Sequence, residues 1–181
     1  MGHDLVDRAK HGDKEAFTAL IVPLGDRLYG VAYRILRDAD RAEDAVQQTF
    51  FMAWRELAGL RDDSRLEAWL YKMLVNACYA EIRHTRRWQP GLQVVSLAPT
   101  VDAAPLSVAR GEALDRAFRH LSGEQRAVLV LTYYLGMSGP EVGAVLGLPA
   151  GTVRSRLHYA RQLMRSAMEA DARTMAHGGT A

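Results

Sequence analysis

Arg154, Arg156, Arg161 and Arg165 fall in a stretch bounded by Glu141 and Glu169 that holds no acidic residue between those two glutamates. Guanidinium groups without neutralising carboxylates attract phosphate oxygens, so the chemistry on offer is attachment to a nucleic-acid backbone rather than bond-making. On charge alone the same run also fits a solvated helix face. Asn76 is a second candidate. Its amide presents a donor and an acceptor together, suited to the edge of an unstacked base, and Lys72, Arg83, Arg86 and Arg87 flank it with phosphate-binding charge. A surface amide or a structural cap is the alternative reading of Asn76. Bond-making chemistry finds no such grouping. Cys78 is the single cysteine; with His84 it falls short of a zinc ligand set, so a buried thiol is expected. His3, His11 and His177 read as exposed or tail residues. No Ser-His-Asp spacing, P-loop or glycine-rich phosphate loop occurs, and no catalytic residue, cofactor or metal is expected.

The elements that must position these residues read as helices. Phe17, Leu20, Ile21, Leu24, Leu28, Val31 and Ile35 recur at spacings of three and four, the stripe of a half-buried helix. Ala42 to Leu57 and Leu66 to Ile82 repeat the pattern, with Trp54, Trp69 and Tyr71 assigned to the core. Pro23 should kink or break its helix near Val22. Ser64–Glu67, Ser122–Gln125 and Ser138–Glu141 fit the capping box, and Asp40–Glu43 is a variant with Asp as the cap. Gly12 followed by Asp13 marks a stop and a new start. Helices are expected near 4–11, 13–36, 40–58, 64–86, 109–120, 122–135, 138–146 and 150–170. No segment alternates with period two for long enough to argue a strand.

The chain has 181 residues, 49% hydrophobic and 24% charged, room for one medium domain or two small ones. Its longest apolar stretches, such as Ala127–Leu131, fall far below the roughly 18 residues of a membrane span, and no apolar leader comes after Met1. No membrane insertion and a cytoplasmic location are therefore expected. The net charge of +2 is unevenly spread: residues 1–89 carry 14 basic and 14 acidic side chains, residues 110–181 carry 9 and 6. From Trp88 to Ala109 there is no Lys or Arg, one acid, and three of the six prolines. The reading is an all-α chain of two small helical domains, 1–87 and 109–172, joined by a Pro-containing linker at 88–108 and ending in a frayed tail at 173–181. The second domain is a helix-turn-helix: a short helix at 138–146, then Gly147-Leu148-Pro149-Ala150-Gly151, then a helix opening with Thr152-Val153-Arg154-Ser155-Arg156. An ordinary helical hairpin is the alternative, and it leaves the acid-free arginine run unexplained.

The stretch from Leu121 to Leu157, with Gly151-Thr152-Val153-Arg154-Ser155-Arg156 near its end, resembles region 4 of bacterial extracytoplasmic-function sigma factors. Asp40 to Trp54 looks like sigma region 2.2, and Leu60 to Cys78 like regions 2.3 and 2.4. The two motifs stand in order on either side of the linker and together cover about 150 residues. The resemblance implies a sigma factor that binds core RNA polymerase and directs promoter-specific transcription initiation, with no reaction of its own. It implies that Glu43, Asp44, Gln47, Gln48 and Arg55 meet the coiled-coil clamp of the largest polymerase subunit. Arg61, Ser64 and Arg65 in the loop, with Lys72, Asn76, Arg83, Arg86 and Arg87 on the next helix, would open and hold the −10 element. Thr152, Arg154, Ser155, Arg156, His158 and Arg161 would contact the −35 element of promoter DNA. The second domain would also dock on the flap tip of the second-largest subunit, and an anti-sigma factor is a further implied partner. The family often has Glu at the position of Gln48 and Arg at that of Tyr159. Two other functions fit parts of the sequence. A stand-alone helix-turn-helix regulator would need a ligand or dimerisation domain within 1–87, and a helical adaptor without DNA binding has no use for the arginine helix.

Overall fold

The structure, a computed structural model, describes residues 2–88 and 114–178, with side chains described for 4–84, 114–170 and Arg173. All regular structure among the described residues is helical. The first half comprises α1 (Gly2–Lys10), α2 (Lys14–Leu36), α3 (Ala39–Glu56), two short 3₁₀ turns (Leu57–Gly59 and Asp63–Arg65) and α4 (Leu66–Trp88). The second comprises α5 (114–119), α6 (Gly123–Leu129) running into a π turn (Val130–Tyr134), α7 (Gly139–Leu146) and α8 (Ala150–Gly178). Apart from Trp88, the expected linker lies outside the described residues.

Helix starts are set by the carboxylates. Asp13 caps α2, its side chain accepting from the Ala16 N–H at 3.0 Å. Capping and a 2.6 Å bond from Arg8 together hold its carboxyl below the usual range. Asp38, not Asp40, caps α3: Asp38 is extended, with φ −149°, and takes the Arg41 N–H at 3.1 Å, while Asp40 already lies in the first turn. Ser64 caps nothing. Its hydroxyl and N–H both go to Asp62, at 2.6 and 3.1 Å, because an ionised oxygen two residues away is the stronger acceptor. The other two boxes form. Ser122 and Gln125 exchange bonds of 2.8 and 3.2 Å, and Glu141 accepts from both the N–H and the hydroxyl of Ser138, at 2.7 and 2.6 Å.

Pro23 does not interrupt α2. Pro23 and Ala19 are both exposed, so water can satisfy the carbonyl that loses its helical partner. At the far end, α8 continues to Gly178, past the expected end near 170. The added segment contains no proline, and Ala172, Arg173, Met175 and Ala176 are good helix formers.

The core of the first half forms where α2, α3 and α4 face each other. Leu28, Val31, Ile35, Leu70 and Leu74 are fully buried, and Phe17 meets Trp54 edge-on at 5.1 Å. Each fully buried Leu or Ile contributes roughly 1.5–3 kcal/mol. Tyr71 is buried as expected, while Trp54 and Trp69 are half-buried at the edge of this core. In the second half, Ala127, Val128, Leu131, Val142 and Val153 are buried, and both halves share one continuous apolar cluster.

Candidate nucleic-acid and polymerase interfaces

The α7–α8 turn is built by two glycines. Gly147 ends α7 with φ +67°, a conformation that costs a residue with a Cβ about 1–2 kcal/mol. A Cβ on Gly143 would stand 2.6 Å from the Leu148 carbonyl oxygen, a backbone atom, while the Leu148 N–H bonds the Gly143 carbonyl at 2.9 Å. Val153 and Ala160 seat α8 on the core, turning Arg154, Ser155 and His158 to solvent. Thr152 is half-buried, its carbonyl bonded by the Ser155 hydroxyl at 3.0 Å. Tyr159, 61% exposed, stands on the same outward side with its ring edge-on to His158 at 5.9 Å.

The remaining two arginines of the expected DNA set differ: seven residues on from Arg154 and three from His158, Arg161 is exposed on that same face, while Arg156 points to the other side of the helix. Arg156 is half-buried and paired with Glu124 at 2.7 Å. Arg161 lines an apolar groove between α5, the π turn and α8, floored by Leu114, Phe118, Tyr133 and Met168, with Arg34 and Arg165 at its edge. The structure thus brings Arg154, Ser155, His158 and Arg161 to one side of α8 and sets Arg156 apart from them.

On α4, Lys72, Asn76 and Arg83 are exposed and share one face, spaced four and seven residues apart. Leu70, Tyr71, Leu74, Val75 and Cys78 fill the opposite face. Burial pushes the Cys78 thiol up to about 12, as expected of a structural cysteine. Arg61, Ser64 and Arg65 are exposed in the preceding loop, which Lys10 tethers to α1 through Asp63. Arg86 and Arg87 lie on the last turn of α4, where side chains are not described. Sequence reading missed Tyr79, which shares the Lys72–Arg83 face. Its hydroxyl is buried without a partner, and burial first, then the charge of Glu124, pushes it up to about 12.

On α3, Glu43, Asp44, Gln47, Gln48 and Arg55 are all exposed along one side, above the buried row Ala42, Ala45, Val46, Thr49 and Ala53. Thr49 sits in that row at no cost because its hydroxyl donates to the Ala45 carbonyl at 2.7 Å. Two residues outside the expected set join this surface. Phe51 is 56% exposed beneath the Arg55 guanidinium, 5.6 Å from the ring centre. Glu81 of α4 lines the groove shared with Asp44, Gln47 and Gln48. An exposed phenylalanine breaking an otherwise polar face was the available signal.

Comparison with known proteins identifies the family to which these surfaces belong. Residues 20–88 match sigma-70 region 2 and residues 111–164 match sigma-70 region 4. The ECF RNA polymerase sigma factor SigL of Mycobacterium tuberculosis is 35% identical over 155 residues, covering 78% of this chain and 82% of its own. The RNA polymerase sigma-H factor of Pseudomonas aeruginosa is 28% identical over 178 residues, covering 91% and 92%. Among solved structures, CnrH in complex with the cytosolic domain of CnrY matches with TM-score 0.66 at 31% identity, over 94% of this chain and 98% of that one. Sigma factor RpoE of Bartonella quintana, solved with the anti-sigma factor NepR, matches with TM-score 0.68 at 27% identity, over 86% and 98%. The chain belongs to the ECF sigma factors of RNA polymerase. It directs transcription initiation by binding core polymerase and promoter DNA. Among the described residues, no helix is long and apolar enough to cross a membrane.

Proposed function

We propose how the work is divided along the chain. Residues 1–87 dock on the polymerase and read the −10 element, residues 109–172 read the −35 element, and 88–108 link them. The exposed side of α3, with Glu43, Asp44, Gln47, Gln48 and Arg55, takes the coiled coil of the largest subunit. Phe51 supplies the apolar contact that a polar face alone lacks. Arg61, Ser64 and Arg65 with Lys72, Asn76 and Arg83 hold the opened −10 strand; Arg86 and Arg87 extend that charge. Arg154, Ser155 and His158, with Thr152 at the helix start, enter the −35 major groove, while Arg156 and Arg161 hold phosphates at its edges. The apolar groove beside Arg161 suits an amphipathic helix of the second-largest subunit. By likeness to RpoE of Bartonella quintana, an anti-sigma factor is a further partner. The chain catalyses no reaction itself and works in the cytoplasm, where core polymerase is.

The observation that carries the −10 assignment is Asn76: an exposed amide on a helix whose opposite face is sealed in the core. Asn76→Ala is expected to keep stability within about ±0.5 kcal/mol and to assemble with core polymerase on a native gel. It should lose about 1–3 kcal/mol of discrimination at one −10 base, seen as altered permanganate reactivity on promoters of varied −10 sequence. Unaltered selectivity moves base reading to the loop at 60–65.

A further inference from the structure

Arg37 closes α2 in a backbone conformation, φ +61°, that ordinarily goes to glycine, because a Cβ there crowds the following carbonyl. The residue that stands there instead is a long cation, turned inward until only 9% of its side chain is exposed. The Tyr33 ring packs against it, 5.8 Å from the guanidinium carbon. One end nitrogen, Nη1, donates to Asp115 of α5 at 2.9 Å. The other two nitrogens, Nε and Nη2, are buried without a hydrogen-bond partner. Their N–H groups share one edge of the guanidinium and point the same way, the fork that takes a pair of oxygens from one oxyanion.

Arg126 of α6 comes to the same place from the other half. α6 is seated by Gly123, where Ile82 of α4 leaves no room for a Cβ. The Arg126 Nε is also buried without a partner, and burial first, then the charge of Arg37, lowers its guanidinium to about 10. The carboxylates next to these arginines in sequence are committed elsewhere. Asp38 holds the Arg41 N–H at 3.1 Å and the Arg41 guanidinium at 3.4 Å, and Glu124 holds Arg156 at 2.7 Å. Two guanidinium groups thus share a single carboxylate, that of Asp115, and leave three N–H donors without an acceptor among the described residues. Each unmade bond costs its donor the desolvation that burial imposed, and an unpaired buried charge costs more. An anion supplied from outside the chain removes both costs.

We infer that Arg37 and Arg126 form a binding site for a small, free oxyanion of the phosphate type. Arg37 takes two of its oxygens through Nε and Nη2, and Arg126 takes a third through Nε. A carboxylate has only two oxygens, both used by the Arg37 fork, so a tetrahedral anion matches the three donors better. The Asp115 carboxylate stays on Nη1 and neutralises one of the two charges. Its side chain is 47% exposed and marks the edge by which an ion enters. The depth of the Arg37 fork admits such an ion and keeps out the backbone of a duplex. Neither arginine belongs to the surfaces assigned to DNA or polymerase, so the site stands apart from that division of work.

The test titrates the full-length chain with inorganic phosphate against chloride at matched ionic strength, by calorimetry and by thermal unfolding. One phosphate should bind per chain, and at about a hundred times its Kd the melting temperature should rise by roughly 5–10 °C. Acetate at the same ionic strength should raise it less. Arg126→Met removes the third donor and the second charge. In chloride it should melt at or above the wild-type temperature, because an apolar side chain replaces a buried, unpaired cation, and its Kd for phosphate should rise about tenfold. Arg37→Lys keeps a charge beside Asp115 but has no fork, and should weaken phosphate binding by about tenfold or more. Calorimetry reads that loss on the folded protein even where the variant is less stable. The inference is overturned if phosphate raises the melting temperature no more than chloride does, or if acetate matches it. It is overturned equally if either variant binds phosphate as wild type does, which would move the ion to the exposed arginines of α8. Weaker binding of promoter duplex by Arg126→Met would overturn it too, since the site would then belong to a phosphate of DNA.

Discussion

Helices α4 and α8 are both assigned to DNA reading, yet they are held in place by different physics. α4 is packed between α2 and α3 and buries five side chains from Leu70 to Cys78. α8 buries Val153 and Ala160, and its direction is set at its start by the Gly143–Gly147 turn. A core positions Asn76, whereas a turn positions Arg154. Damage to the first therefore costs the fold, while damage to the second costs the aim of a helix that still forms.

The largest expected effect breaks the comparison on the α4 side. Leu74 is fully buried, and Leu74→Ala should cost about 2–5 kcal/mol, read as a lower denaturation midpoint of the full chain. Polymerase assembly and −10 opening should fall together, since α3 and α4 share that core. Next comes the turn. Gly147→Ala should cost about 1–2 kcal/mol, with −35 duplex binding lost in excess of the stability change. A loss of −35 binding no larger than the stability change would show that α8 is positioned by its packing after all. Third, the arginines can be sorted by salt. Arg154→Ala should lower the salt slope of duplex binding by about one unit. Arg156→Ala should lower it as well, because binding exchanges Glu124 for a phosphate. An unchanged slope would show that Arg156 stays with Glu124 and holds no phosphate.

The smallest effect concerns the cap of α7. Glu141 accepts two bonds from Ser138, which hold its carboxyl below the ordinary 4.5. A folded-state pKa below the unfolded one adds stability that is present above the unfolded value and is lost as pH falls through the folded one. Thermal unfolding of the second half should therefore become easier as pH drops below about 4.5, and Glu141→Gln should remove that part of the pH dependence. An unaltered profile in the variant would mean that other carboxylates govern acid unfolding.

Much of this was legible in the residues. The periodic stripes marked α2, α3 and α4, the glycine-containing turn marked α7 and α8, and Ser122–Gln125 and Ser138–Glu141 formed the caps their spacing required. Errors arose where a second group competed: Asp62 took the Ser64 hydroxyl, and Asp38 capped α3 ahead of Asp40. The polar row on α3 was visible, but not that Phe51 and Glu81 complete the same surface, because Glu81 comes from another helix. The fit between the halves left no trace in any periodic pattern. Gly30 and Gly123 look in sequence like weak points in helices, and only their distant neighbours, Tyr134 and Ile82, explain them.

The π turn at Val130–Tyr134 carries a consequence for how such a chain changes over generations. A π turn is an α-helix that has absorbed one extra residue, here closed by the Leu135 N–H on the Val130 carbonyl at 3.2 Å. Removing one residue there would return the turn to α-helical spacing and leave the helix-turn-helix beyond Gly136 in its present register. The residues inside the turn would re-space, and with them the seating of Tyr134 against Gly30 and beneath Arg34. A single three-nucleotide deletion would thus retune the contact between the halves without altering any residue assigned to DNA.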